Sequence, residues 1–232
     1  MQVAPSCDVS ELAAFPLFTG LEDSLLQRFL EDHRVLLVPA AQQIVFEADW
    51  SEGLFLIRTG IVKVRSINVH GGEVVVALLG IGDMFGELAM LQGHGRRSAD
   101  VVALTPLEVV KLRWSGLQQE LQRSPSFALA MARLQAARLL AMGKRFTLRG
   151  EDATTRVLAT LLELARCNSD GQDPQGVIPC LSQTEIATIS GLARGTTSKI
   201  LTQLRTRGTL VDTPTGLQIA DLKPLRKRGL IS

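Results

Sequence analysis

Between Arg34 and Leu112 the chain is cut into runs too short for helices. Val35–Val38, Gln43–Phe46, Gly53–Arg58, Ile61–Ile67, Glu73–Leu79 and Leu107–Leu112 are rich in β-branched residues. Pro39, Asp49, Thr59-Gly60, His70-Gly71-Gly72 and Gly80-Ile81-Gly82 separate them. β-Branched side chains suit a pleated, half-buried surface, and glycine and proline mark the turns between strands. Many short strands at close spacing predict a compact antiparallel β-roll or barrel.

The flanks have another texture. Short helices are expected at Val9–Ala14 and, after Thr19-Gly20, at Glu22–Asp32, with Phe15, Leu17, Phe18, Leu25, Leu26 and Phe29 as their buried face. From Ser124, an N-cap with Pro125 in the first turn, apolar residues continue almost unbroken to Leu148. Phe127, Ala130, Leu134, Ala137, Ala141 and Leu148 form one stripe; Leu129, Ala132, Ala136, Leu139, Gly143 and Phe146 form a second. A helix with two apolar faces has to cover both, one on its own domain and one on a partner helix. A helix buried wholly within one subunit is the alternative, and the alanine-rich seam favours the dimer.

Arg149–Asp152 then reads as a hinge, with Asp152 capping a helix over Ala153–Arg166 whose inner side is Val157, Leu158, Leu161, Leu162 and Ala165. After a polar loop from Cys167 to Gly176, Ser182 and Glu185 form a capping box, and Ile186, Ala187 and Ile189 face inward. Ser190-Gly191-Leu192 makes a tight turn into a second helix from about Ala193 to Arg207, with Ile200, Leu201 and Leu204 inside and Arg194, Thr196, Ser198 and Lys199 outside. Thr209–Asp212 and Leu217–Ala220 close a hairpin around Thr213–Gly216. Two short helices, the second basic and hydroxyl-rich, followed by a hairpin, read as a winged helix-turn-helix.

Charge agrees with that division. The net charge is +2, but residues 1–152 carry 15 Lys and Arg against 17 Asp and Glu, and residues 153–232 carry 10 against 6. A basic C-terminal third beside a mildly acidic body suggests a nucleic-acid partner. No apolar run reaches the length of a membrane span, and Met1–Ser10 has no signal-peptide pattern, so a cytoplasmic location is expected. Cys7, Cys167 and Cys180 are far apart, and His33, His70 and His94 are scattered, so no metal spacing is visible.

The stretch Gly82–Leu91 with Arg96-Arg97-Ser98-Ala99 carries the chemistry. Gly86 leaves room for close backbone approach, and the amides of Gly86–Leu88 open a short helical turn that suits an anion. Glu87 can accept hydrogen bonds from sugar hydroxyls, while Arg97 and Ser98 can hold a phosphate. Together they make a site for a sugar phosphate.

The run Phe85-Gly86-Glu87-Leu88 followed by Arg97-Ser98-Ala99 resembles the phosphate-binding cassette of cyclic-nucleotide-binding domains. With the long helix, hinge and winged helix-turn-helix, nearly the whole chain from Phe15 onward is similar to the Crp/Fnr family of bacterial transcription regulators. The resemblance implies an α+β architecture. A cyclic-nucleotide-binding β-roll of the double-stranded jelly-roll kind spans residues 1–123, a dimerisation helix 124–150, and a winged helix-turn-helix 151–232. It also implies a homodimer binding double-stranded DNA at a palindromic operator, contact with RNA polymerase, and a small effector, cyclic AMP or another cyclic nucleotide, with no other cofactor. Gly86, Glu87, Leu88, Arg97 and Ser98 would hold the effector, and Ala141 and Met142 would lie against its base. Arg194 matches the family arginine that reads a guanine edge, with Lys199 as a second basic contact and Thr196 and Ser198 beside them. Thr154 and Ser182 match residues that touch phosphates.

Two positions depart from the family pattern. Gly195 replaces a glutamate that reads cytosine, and Ala141-Met142-Gly143 stands where a Thr-Ser pair bonds adenine. Operator and base preference are therefore open. Two other functions compete: a cyclic-nucleotide-binding regulatory subunit that acts on a protein partner, and a DNA-binding regulator whose cassette takes another metabolite or none. No nucleophile–base pair or nucleotide-hydrolysing loop points to an enzyme.

Overall fold

The computed structural model describes residues 6–50, 53–93, 95–169 and 173–231. His94 lies outside them. In chain order, α1 (Val9–Ala14) and α2 (Asp23–Leu30) precede β1 (Arg34–Val38), β2 (Gln43–Val45), β3 (Leu54–Thr59), β4 (Val62–Ile67), β5 (Glu73–Leu79) and β6 (Met84–Phe85). Then come α3 (Glu87–Leu91), β7 (Asp100–Ala103), β8 (Leu107–Leu112), α4 (Trp114–Arg123) and α5 (Pro125–Leu148). The C-terminal elements are α6 (Ala153–Cys167), β9 (Ile178–Pro179), α7 (Gln183–Ser190), α8 (Arg194–Thr206), β10 (Leu210–Thr213), β11 (Gly216–Ile219) and α9 (Lys223–Lys227).

Two compact units result. One takes Met1–Val62 and Ile81–Ala141; the other takes Lys63–Gly80 and Met142–Ser232.

In the first unit an antiparallel sheet runs in the order β1-β8-β3-β6, with Leu36 opposite Val109, Leu56 opposite Val110 and Phe55 opposite Phe85. β2 pairs with β7. Alternate residues of the sheet, Leu54, Leu56, Val110 and Leu112, bury one face against Leu12, Leu26, Phe29, Leu117, Phe127 and Met131 from the surrounding helices. Period-two alternation is what lets one strand serve two environments. Phe18, Phe29 and Phe127 meet with ring centroids about 6 Å apart, as aromatic pairs prefer. The first turns of α5 thus bury Phe127 and Met131, and Ser124 caps the helix by accepting from the Phe127 amide at 3.2 Å.

The expected second stripe on α5 is uncovered: Leu129 is half exposed, and Leu139 and Phe146 are 71% and 72% exposed. Leu140 and Met142 are exposed as well.

In the second unit β4 and β5 make a hairpin, and α6, α7 and α8 share a core of Val157, Leu158, Leu161, Ile186, Ile189, Ile200, Leu201 and Leu204. Asp152 caps α6 by accepting from the Thr154 and Thr155 amides at 2.9 and 3.0 Å. Gly191, in the left-handed region, ends α7. The hairpin β10–β11 has a third strand, β9, at its side.

The capping box at α7 is only half formed. Ser182 Oγ accepts from the Glu185 amide at 3.0 Å, but the Glu185 carboxylate does not return to Ser182. It meets Lys63 Nζ at 2.5 Å instead, and Lys63 also reaches Glu73 at 2.7 Å. A buried ammonium is a stronger partner for a carboxylate than a solvated amide. Burial opposes ionisation of Glu73, yet Lys63 and Arg65 outweigh it and hold its carboxyl below the usual range.

Candidate functional site: a buried arginine–glutamate cassette and a helical reading head

Strand β6 delivers Gly86 with φ at +96°. A Cβ there would stand 2.5 Å from Arg97 Nη1 and 2.7 Å from the Gly53 carbonyl oxygen, so the close approach needs glycine. Ala89 and Met90 anchor the short α3 in the core and turn Glu87 inward. Arg97 arrives on a backbone pinned to the opposite loop, its amide donating to Asp49 O at 3.0 Å and its carbonyl accepting from Ala48 at 2.9 Å.

Both candidate side chains are buried, Glu87 at 1% and Arg97 at 4% exposure. Arg97 donates from Nη1 to Gly86 O at 2.9 Å and from Nη2 to Gly53 O at 3.0 Å. Its guanidinium carbon stands 5.1 Å from the Trp114 ring centroid and 5.7 Å from that of Phe55, a cation–π setting. Burial pushes the Arg97 pKa down, and the negative charge of Glu87 pushes back. A buried guanidinium is costly to desolvate, and an anion that reaches it offsets part of that cost.

Glu87 Oε1 accepts from Arg138 Nη1 and, at 3.3 Å, from Gln135 Nε2. Arg138 Nη2 donates to the Met84 carbonyl as well. Glu87 Oε2 is buried with no hydrogen-bond partner among the described residues. A buried carboxylate oxygen left unpaired is costly, and a ligand hydroxyl would satisfy it.

The remaining expected ligand residues are more open. Leu88 and Ser98 are exposed at the rim. Ala141 and Met142 are both exposed; Ala141 closes the first unit and lies three residues beyond Arg138 on α5, while Met142 opens the second. Gln135 and Arg138 were not anticipated. Their spacing of three on a helix puts both on one side of α5, a polar pair beside an apolar stripe, which is a signal the sequence does contain.

In the second unit Arg194 is the first residue of α8 and, like Thr196 and Lys199, is exposed; Ser198 is half-buried. Buried Thr197, Ile200, Leu201 and Leu204 fix the opposite face of α8 in the core. Thr154 lies half-buried in the first turn of α6, and Ser182 is the exposed N-cap of α7. Arg156, also unanticipated, donates to Ser190 O at 3.0 and 2.7 Å and to Gly191 O at 2.5 Å. It binds the turn between α7 and α8 to α6 and so sets the direction in which α8 presents its outer residues. Among the described residues no three of His, Cys, Asp and Glu come together to hold a metal ion, and no helix is long and apolar enough to cross a membrane.

Known proteins share these two parts. Residues 35–124 match the cyclic nucleotide-binding domain and residues 155–228 the Crp-like helix-turn-helix domain. The chain is 32% identical over 196 residues to the Cyclic AMP receptor protein of Thermus thermophilus, covering 83% of this chain and 87% of that one. The solved structure of FixK2 from Bradyrhizobium japonicum covers 84% of this chain and 96% of its own, with a TM-score of 0.72 at 22% identity. The structure of the c-di-GMP responsive global regulator CLP from Xanthomonas campestris covers 86% of this chain and all of its own, with a TM-score of 0.66 at 22% identity. With a cyclic-nucleotide-binding domain ahead of a Crp-like helix-turn-helix, the chain belongs to the Crp/Fnr family of DNA-binding transcription regulators.

Proposed function

We propose that the chain works as a cytoplasmic homodimer that binds a palindromic operator and whose DNA affinity is set by a cyclic nucleotide, cyclic AMP first. The observation that carries the reading is the unpartnered, buried Glu87 Oε2 in the cassette that also holds Arg97. A cyclic phosphate would take Arg97, Ser98 and the Gly86–Leu88 amides, and the ribose hydroxyl would donate to Glu87 Oε2. Arg138 keeps Oε1, so the ligand would complete a bridge from cassette to α5. The base would lie on the Ala137–Met142 side of that helix.

The relative at 32% identity is named for cyclic AMP, which supports that choice. The fold alone does not name an effector, because the c-di-GMP responsive regulator shares it. No side-chain hydroxyl is offered at Ala141 or Met142, so base preference would rest on shape and backbone.

The exposed Leu129, Leu139, Leu140 and Phe146 support a two-fold dimer along α5. Two recognition helices would then enter half-sites one DNA turn apart, roughly 34 Å. The effector shifts this arrangement only through different affinities for its two states. Contact with RNA polymerase rests on the family resemblance.

Titration calorimetry tests the effector. Cyclic AMP is expected to bind more tightly than cyclic GMP or a cyclic dinucleotide. Arg97→Ala should weaken it at least about 100-fold, as two charge-assisted bonds are lost. No heat with any of these ligands, or no effect of Arg97→Ala, overturns the reading.

A further inference from the structure

The positive charge of the C-terminal third is not confined to α8, which carries Arg194, Lys199 and Arg205 and no acid. Of the 10 Lys and Arg in residues 153–232, four (Lys223, Arg226, Lys227 and Arg228) fall within six residues that contain no acid. α9 and the residue that follows it thus form an acid-free cluster of four positive charges.

The structure fixes this segment in place. Leu225 is fully buried and anchors α9. Lys223, Arg226 and Lys227, at i, i+3 and i+4, share one face of the helix. All four cations are exposed, and none enters an ion pair among the described residues. Arg228 Nε donates to Thr155 Oγ1 at 3.1 Å, which places its guanidinium at the first turn of α6. The Thr155 hydroxyl and amide hold the Asp152 carboxyl below its usual range, and the nearby charge of Arg228 adds to this.

That same turn of α6 carries Arg156, bound to Ser190 O and Gly191 O in the helix-turn-helix. It also carries Thr154, the expected phosphate contact. The cationic segment is thus fastened to the turn of α6 that also holds the reading head. Four unpaired, exposed cations so close together repel one another, and a polyanion relieves that repulsion while releasing its own counterions.

We propose that α9 and Arg228 form a second DNA-backbone site, which grips phosphates flanking the half-site that α8 reads. The site carries no sequence information and contributes affinity and salt dependence. It adds to the DNA-binding role without depending on the identity of the effector.

The test is DNA affinity as a function of salt, on a long duplex of mixed sequence and on a palindrome selected from a random pool. The variant Lys223→Gln/Arg226→Gln/Lys227→Gln leaves Leu225 and the Arg228–Thr155 bond in place, and its thermal unfolding should match the unsubstituted chain. The slope of log affinity against log salt is expected to fall by about one for each phosphate contact removed, on both duplexes alike. Base preference in the selection should not change. On a duplex trimmed to the two half-sites, variant and parent should bind equally. A wild-type slope in the variant on the long duplex overturns the proposal, as does a loss confined to the palindrome. Failure of the unsubstituted chain to bind any duplex overturns it together with the DNA-binding role.

Discussion

Gly86→Ala is expected to abolish effector binding and to destabilise the first unit by about 2–4 kcal/mol. Backbone strain supplies roughly 1–2 kcal/mol, because φ at +96° is poorly tolerated by a residue with a Cβ. The rest comes from contact. The new methyl would stand 2.7 Å from the Gly53 carbonyl oxygen and 2.5 Å from Arg97 Nη1. The first obstacle is backbone, so the loop has to move, and Arg97 then loses the two carbonyls that orient it. Gly82→Ala separates the two causes, because Gly82 has φ at +84° but nothing within 4 Å of an added Cβ. That variant should show only the strain and keep its affinity for cyclic AMP. Urea unfolding and calorimetry on the pair check both statements.

Arg194→Ala is expected to erase operator preference while leaving stability within about 0.5 kcal/mol of the parent. The side chain is exposed and makes no hydrogen bond or ion pair among the described residues, so its removal strands no partner. If each copy places one bidentate fork on a guanine, the loss is about 1–3 kcal/mol per half-site and twice that for a dimer on a palindrome. Affinity for the selected operator should fall from tens-fold to about ten-thousand-fold. Affinity for mixed-sequence DNA and its salt slope should hardly move, since a base contact releases few counterions. The α9 variant should behave in the opposite way, so the two substitutions divide base reading from backbone grip. Competition gel shifts with selected and mixed duplexes make the comparison.

Much of this fold was legible where local chemistry decides it. The β-branched runs between glycine and proline turns became strands within a residue or two, and Asp152 and Ser182 cap the helices they were expected to cap. Most of what escaped is very short or long-range. Strands β6 and β9 have two residues each, too few for any period to show. β7 follows directly on the Arg97-Ser98 motif and was hidden by it. Helix α4 is an exception, a ten-residue helix with a local amphipathic signal in Trp114, Leu117 and Leu121. Glu185 obeys the local spacing rule at its amide, yet gives its carboxylate to Lys63, 122 residues away in sequence.

The candidate site divides in the same manner. Glu87 and Arg97 were named by the motif, but the motif is silent on their partners within the protein. Arg97 lies between aromatic rings and donates to backbone carbonyls, and Glu87 is half claimed by Arg138 from α5. Those partners come from elements far from the cassette in sequence, and only packing brings them together.

The central claim is that occupancy of the cassette controls DNA binding. The direct measurement is the affinity of the full chain for a selected palindromic duplex, by fluorescence anisotropy, with and without saturating cyclic AMP, in the parent and in Arg97→Ala. The account predicts that cyclic AMP tightens binding by the parent at least about fivefold, the low end of ordinary allosteric coupling, and leaves the variant unchanged. Equal affinity with and without cyclic AMP, in a parent shown by calorimetry to be loaded, would contradict it.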